Sequence, residues 1–260
     1  MNRRVMVRAV LLACASWPVF AADPLPTPEA ILDRFVEVTG GKVAYEKRKT
    51  EVVNGTVEIA AVGLKGTMVT YYASPGKFYM AMELPGAGKM ETGLIEGVAW
   101  ENSLLQGPRI KTGEERAQVI RQADMNETLH WRELYDKVET AGEETVEGVA
   151  CYKLVLTPKT GNPETMYFEK ESGLMRKTSM IAASPLGDIP AESFSKEYKD
   201  FGGILAPSKV TETVLGQQLI MTIEKVEANP DIPADRHHPR LHLPTCRRSG
   251  EAGWLPGHCL

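Results

Sequence analysis

This chain has little with which to perform chemistry. Its 260 residues hold five histidines and four cysteines, and aromatic residues make up 7%. There is no Gly-x-Ser-x-Gly elbow, His-Glu-x-x-His pair, glycine-rich phosphate loop or Cys-x-x-Cys pair, so the common signatures of nucleophilic, zinc, nucleotide and thiol redox chemistry are missing. His130 is the one histidine before residue 237, beside Trp131 in a helical pattern; such a residue reads as a surface or capping group rather than a base. The pairs Glu114-Glu115 and Glu143-Glu144 fall at a helix start and a turn and read as solvated faces. No catalytic residue and no cofactor is assigned. His237, His238 and His242 lie near Cys246, but Pro239 and Pro244 interrupt the segment, and no metal site is assigned there.

Long apolar runs are also missing. The longest candidate is at the start, where Arg3, Arg4 and Arg8 precede the mostly apolar residues 9–18 and Val19-Phe20-Ala21 offers small-residue cleavage before Ala22. That is the pattern of a secretory signal peptide, and it falls short of the ~20 residues of a membrane span. Residues 1–21 are therefore expected to be a cleaved leader, and the mature protein to be periplasmic. The alternative is a lipoprotein anchored through Cys14 in Leu11-Leu12-Ala13-Cys14. Removing three arginines and no acids from a chain of net charge −4 leaves −7, which argues against nucleic acid or an anionic membrane surface as the main partner, since both demand a basic face. Cys151 lies in a strand pattern and reads as a buried thiol. Cys246 and Cys259 could pair, with nothing requiring it.

What is present is β pattern. Thr27-Pro28-Glu29 is a helix start with a capping side chain, proline at the first turn and an acid on the dipole. Ile31, Leu32, Phe35 and Val36 form one stripe, and Gly40-Gly41 ends the helix. The period then becomes two over 53–59, 65–73, 77–84, 90–95 and 98–102, with hairpin-length turns. Thr112 and Glu115 have the spacing of a capping box, and a second short helix is expected over 127–135. Strands resume at 137–141, through 149–178, and at 194–200, 204–215 and 218–227. This order predicts an α+β fold: a strongly curved antiparallel sheet, an unclosed half-barrel, covered by helices on its concave side. The domain is placed at 22–232 and an irregular tail at 233–260.

The apolar faces nominate a cavity. Phe78, Met80, Met82 and Leu84 share one side of a strand, as do Tyr152, Leu154 and Leu156, Met166 and Phe168, and Met221 and Ile223. Methionine adapts to irregular apolar ligands. Trp100 is placed in the core or at a cavity mouth, and Trp131 on the inward face of the second helix. These thirteen residues are the expected ligand-binding set.

Several short stretches occur in a suggestive order: Thr39-Gly40-Gly41, Glu96-Gly97-Val98-Ala99-Trp100, Gly107-Pro108-Arg109, Cys151-Tyr152-Lys153-Leu154 after Gly148, Thr165 to Glu169, Ser172-Gly173-Leu174 and Gly203 to Pro207. With the leader, they resemble the periplasmic outer-membrane lipoprotein-sorting proteins of the LolA/LolB-like superfamily, over residues 27–232. The resemblance implies a half-barrel with a hydrophobic cavity that shields acyl chains, in the broad uncharacterised branch rather than the dedicated chaperone. Arg109 matches that chaperone's ligand-gating arginine by type alone. The expected function is a non-enzymatic periplasmic carrier of a lipid or of a lipoprotein's acyl chains, for transport or sorting to the outer membrane. The alternative is an envelope sensor or interaction module with a protein partner. No residue nominates itself for a third possibility, a secreted hydrolase.

Overall fold

The structure is a computed structural model that describes residues 24–103, 106–185 and 187–237. The expected leader at 1–21, with Cys14, lies outside the described residues. So do 238–260 of the expected tail, with His238, His242, Cys246 and Cys259; of the rest, 234–237 form a 3₁₀ turn.

Thirteen strands form one antiparallel sheet. The chain begins with helices α1 (Pro28–Val38) and α2 (Lys42–Lys47). A first meander follows, of β1 (Thr50–Ile59), β2 (Leu64–Ala73), β3 (Lys77–Leu84), β4 (Gly88–Ile95), β5 (Val98–Ser103) and β6 (Gly107–Lys111). Helices α3 (Gly113–Gln122) and α4 (Trp131–Leu134) carry the chain to the far edge. The second meander is β7 (Tyr135–Val146), β8 (Val149–Pro158), β9 (Glu164–Glu169), β10 (Met175–Ala182), β11 (Ile189–Asp200), β12 (Leu205–Val214) and β13 (Gln217–Ala228). Strand β13 returns to pair with β1, so the sheet order is β6-β5-β4-β3-β2-β1-β13-β12-β11-β10-β9-β8-β7. Strands β6 and β7 are the two edges, and the sheet is an unclosed half-barrel.

A bulge bends the seam. The β1–β13 register shifts between Asn54 and Gly55, leaving Glu224 as the extra residue. A Cβ on Gly55 would stand 2.2 Å from the carbonyl oxygen of Thr222. Only glycine allows that approach, and the bulge adds twist at the middle of the sheet.

Two cores fill the concave side. On the β7–β10 flank, Ile31, Leu32 and Phe35 of α1 bury against Leu154, Leu156, Met166 and Phe168. Thr27 caps this helix by accepting from the Ala30 amide at 3.2 Å. On the β3–β5 flank, Val119 and Ala123 from α3 and the turn that follows it cover Phe78, Leu94 and Ala99. The other side of α3 reaches the opposite flank: the Gln118 side chain donates to the Ile181 carbonyl (2.8 Å) and accepts from the Ala183 amide (3.2 Å). Arg121 is paired with Glu164 at 2.9 Å. Helix α3 therefore ties the flanks together across the concavity.

Three local expectations are corrected. Thr112 makes no side-chain cap; the Glu115 carboxylate instead accepts from Arg109 at 2.8 Å, because a guanidinium outbids a neutral amide for a carboxylate. The helix expected at 127–135 shrinks to α4, since Asp124 accepts from the Asn126 amide (2.9 Å) and bonds His130 Nδ1 (2.6 Å), giving the chain a turn instead of a helix. Strand β6 was not expected, being short and carrying Pro108 as its second residue, which suits an edge.

Phe168 is 1% exposed and meets the Phe35 ring edge-on at 5.4 Å. Phe168→Ala removes the centre of the α1 core, and we expect a loss of about 3–5 kcal/mol in urea unfolding. A loss below about 1 kcal/mol would show that α1 is not anchored there.

Candidate functional site

Between the two cores the sheet is left uncovered. Ile31, Leu32 and Phe35 of α1 are spent on one flank and Val119 of α3 on the other, while Val36 of α1 packs with Tyr45 and Ile204 at the margin of the gap. Over the central strands β3, β2, β1 and β13 a hollow of about 300 Å³ remains. Its apolar wall comes from Val53, Met68, Tyr72, Met80, Met221, Ile223 and Val226, and from Ile204 and Ala206 near the start of β12. The register explains the set: Val53 lies across from Thr70, and Thr70 across from Met80, so these side chains share the concave face. A recess of about 350 Å³ continues beneath the 123–130 turn and shares Arg48, Tyr72, Met125, Ile204 and Ala206 with the hollow.

One cation guards the junction. Arg48 Nη1 donates to Glu51 Oε2 at 2.6 Å, and Nη2 donates to the Met125 carbonyl (3.3 Å) and Asn126 Oδ1 (3.2 Å). Its guanidinium stands 4.9 Å over the Tyr45 ring. Asn126 donates back to the Tyr45 carbonyl at 3.3 Å, and the Tyr45 hydroxyl meets Thr39 Oγ1 at 2.7 Å. Arg48 thus ties the sheet to the turn that roofs the recess. Its Nε is buried and has no hydrogen-bond partner among the described residues. Burial holds the Tyr72 phenol well above its ordinary range, so it stays protonated.

A second polar knot holds the roof from beneath. Glu127 accepts a short hydrogen bond from the Tyr135 hydroxyl. Burial, with the Glu164 charge adding to it, pushes the Glu127 carboxyl up to about 7. Burial raises Glu164 as well, against the opposing pull of Arg121.

The structure divides the expected ligand-binding set. Met80, Met221 and Ile223 line the hollow. Met82 and Leu84 share the concave face but lie farther along β3, Met82 half-buried and Leu84 buried. Phe78 is packed under α3. Leu154, Leu156, Met166 and Phe168 are filled over by α1, with Tyr152 and Trp131 against their margin. For these residues the expectation of a cavity wall is corrected to core, because α1 lays Ile31, Leu32 and Phe35 on that flank. Trp100 is corrected as well. It lies on the other face of the sheet with Tyr79 and Ala81, across from Gly93, whose Cβ would stand 2.5 Å from the indole. Arg109 sits at the β6 edge between Glu101 and Glu115, away from the hollow. Arg48, Met68, Tyr72 and Met125 were missed. The tight Ser74-Pro75-Gly76 turn carried a signal for two of them: it aligns Tyr72 with Phe78 and Met68 with Met82, on the stripe already nominated.

A folded-state carboxyl raised above its unfolded value binds extra protons at neutral pH, so it stabilises the fold at low pH and loses that effect as pH rises. Wild-type stability is therefore expected to decline between about pH 5 and pH 8 as Glu127 ionises. Glu127→Gln should flatten that slope in thermal unfolding followed across pH; an unchanged slope would exclude Glu127 as its source.

No family model matches this chain, and no curated relative matches it. Solved structures do resemble it. A DUF1329 family protein from Desulfovibrio piger is 14% identical, with 82% of this chain and 98% of that one covered at a TM-score of 0.56. A LolA superfamily protein from Nitrosomonas europaea is 13% identical, over 83% and 99%, also at 0.56. An outer membrane lipoprotein-sorting protein domain from Vibrio parahaemolyticus is 9% identical, over 81% and 95%, at 0.52. At such identities the likeness is one of architecture. The open thirteen-strand sheet with its helix-covered concave face is the fold of the LolA superfamily.

Proposed function

We propose that the protein is a non-enzymatic periplasmic carrier that holds a lipid, or the acyl chains of a lipoprotein, in the central hollow for transport or sorting to the outer membrane. The observation that carries this reading is the gap itself: a mostly apolar recess left between two cores that are otherwise packed. Its volume is at the lower end for ligand sites, and it runs on beneath the 123–130 turn. An acyl chain entering it gains about 0.8 kcal/mol per methylene removed from water. Methionine at positions 68, 80, 125 and 221 lets the wall follow chains of different shape. Arg48 lines the same hollow and places a positive charge beside the polar end of such a ligand. The leader pattern and the lipoprotein-sorting neighbour support the compartment and the class of cargo. Among the described residues no helix is long and apolar enough to cross a membrane.

Native mass spectrometry of the protein purified from the envelope without detergent tests this. The expected result is a bound species of lipid mass. Met80→Glu with Ile223→Glu should remove it while the thermal transition persists. Protein that carries no lipid, or retains it equally in the double variant, would overturn the carrier; a protein retained after delipidation would point to the interaction module.

A further inference from the structure

The two ends of the half-barrel are built from different residues. At one end the strands turn through 74–76, 96–97, 147–148, 170–174 and 201–204. Here the turns carry Glu96, Glu147, Glu171 and Lys170, and Glu147 is paired with Lys196 at 2.6 Å and Arg176 at 3.2 Å. At the other end, apart from the loops 159–163 and 183–188 with Lys159 and Asp188, three neighbouring hairpins, β3–β4, β1–β2 and β12–β13, turn through 85–87, 60–63 and 215–216. These tips read Pro-Gly-Ala, Ala-Ala-Val-Gly and Leu-Gly and contain no charged residue.

The contrast is sharpest in three turns of one shape. Glu96-Gly97, Glu147-Gly148 and Leu215-Gly216 each join two strands with both residues at positive φ: 50° and 76°, 46° and 82°, 51° and 75°. The first position favours Asn, Asp or Gly and is poor for a bulky aliphatic. The acidic end puts a glutamate there. The other end puts Leu215, 69% exposed. On the adjacent hairpin Val62 is 72% exposed, and these are the two most exposed large apolar side chains among the described residues. The Ala60 amide donates to the Gln218 carbonyl at 3.0 Å, which holds the two hairpins side by side.

We infer that this end is a membrane-docking rim whose tips, led by Val62 and Leu215, dip into the interfacial layer of a lipid bilayer. Neighbouring hairpins are two strands apart, ~10 Å at normal strand spacing. Small aliphatic groups so spaced do not form one packed patch for a protein pocket. A fluid interface receives them separately. The charge layout fits the same occupant: the three tips that face the lipid are uncharged, and the charged turns 96–97, 147–148 and 170–174 lie at the opposite end. Behind the tips, Lys65 is paired with Glu58 (3.2 Å) and Lys89 with Glu91 (2.7 Å), so neither sign dominates and attachment is apolar rather than electrostatic. The small inserted area makes it reversible. This inference rests on the hairpin tips and stands whether or not the hollow holds lipid.

The test is flotation of the exported, leader-free protein with vesicles of phosphatidylcholine and of phosphatidylcholine with phosphatidylglycerol. The wild type should float with both, at low and at high salt. Val62→Ser with Leu215→Asn should lower the floated fraction about tenfold, as expected for two partly inserted aliphatic groups. Asparagine suits the positive φ at 215, so the thermal transition should persist. Glu96→Gln at the opposite end should leave flotation unchanged. A wild type that stays with the unbound fraction, or a double variant that floats equally, would overturn the rim. Because flotation is read without reference to bound lipid, its failure and the failure of the carrier are separate results.

Discussion

Everything in this molecule depends on the pairing of β1 with β13. Two meanders are made locally, each from short turns between consecutive strands. Separately each would be a curved sheet with one helix on it. The seam joins them through residues some 170 positions apart, such as Val57 and Met221, and places the middle of the sheet far from either covering helix. The bulge at Gly55 bends the sheet there. The hollow is a consequence: it lies over the seam, between the flank cores built on α1 and α3.

The energetics of the concave face follow from that division. On the flanks, large side chains fill the space at the density of a normal core, and each flank has its own aromatic or aliphatic centre, Phe168 on one and Phe78 with Leu94 on the other. Over the seam the cover is polar and local. Arg48, Asn126, Tyr45 and Thr39 make a chain of hydrogen bonds from sheet to roof. Such a cover is held by few groups, each of which can be exchanged for water or for a ligand atom. A packed core has no such alternative.

The long axis of the sheet adds a second division. Turns of the same backbone shape carry glutamate at one end and leucine at the other. Backbone conformation cannot account for the difference, since the positive φ disfavours leucine more than a short polar residue. The surroundings of each end must. Uncharged hairpin tips at one end and charged turns at the other make the two ends of the sheet chemically distinct.

Much of this was legible in the residues. The 3.6-residue stripe of Ile31, Leu32, Phe35 and Val36 and the alternation in 77–84 and 149–158 follow from backbone period alone, and with hairpin-length turns they determine an antiparallel, helix-covered sheet. The stripe of Phe78, Met80, Met82 and Leu84 was likewise visible as a single face. Which part of that stripe is wall and which is core was not, because burial depends on where a helix far away in sequence lies down. Phe78 went under α3 while Met80, two residues on, stayed at the hollow. Trp100 shows the same limit: its strand was evident, but the face it takes is set by registry with Gly93. Arg48 carried no motif, and its role exists only because the fold brings Glu51, Met125 and Asn126 around it. Period and turn chemistry are local and can be read along the chain; the hollow, its guard and the sidedness of each strand are sums of long-range contacts, and only the tertiary structure could decide them.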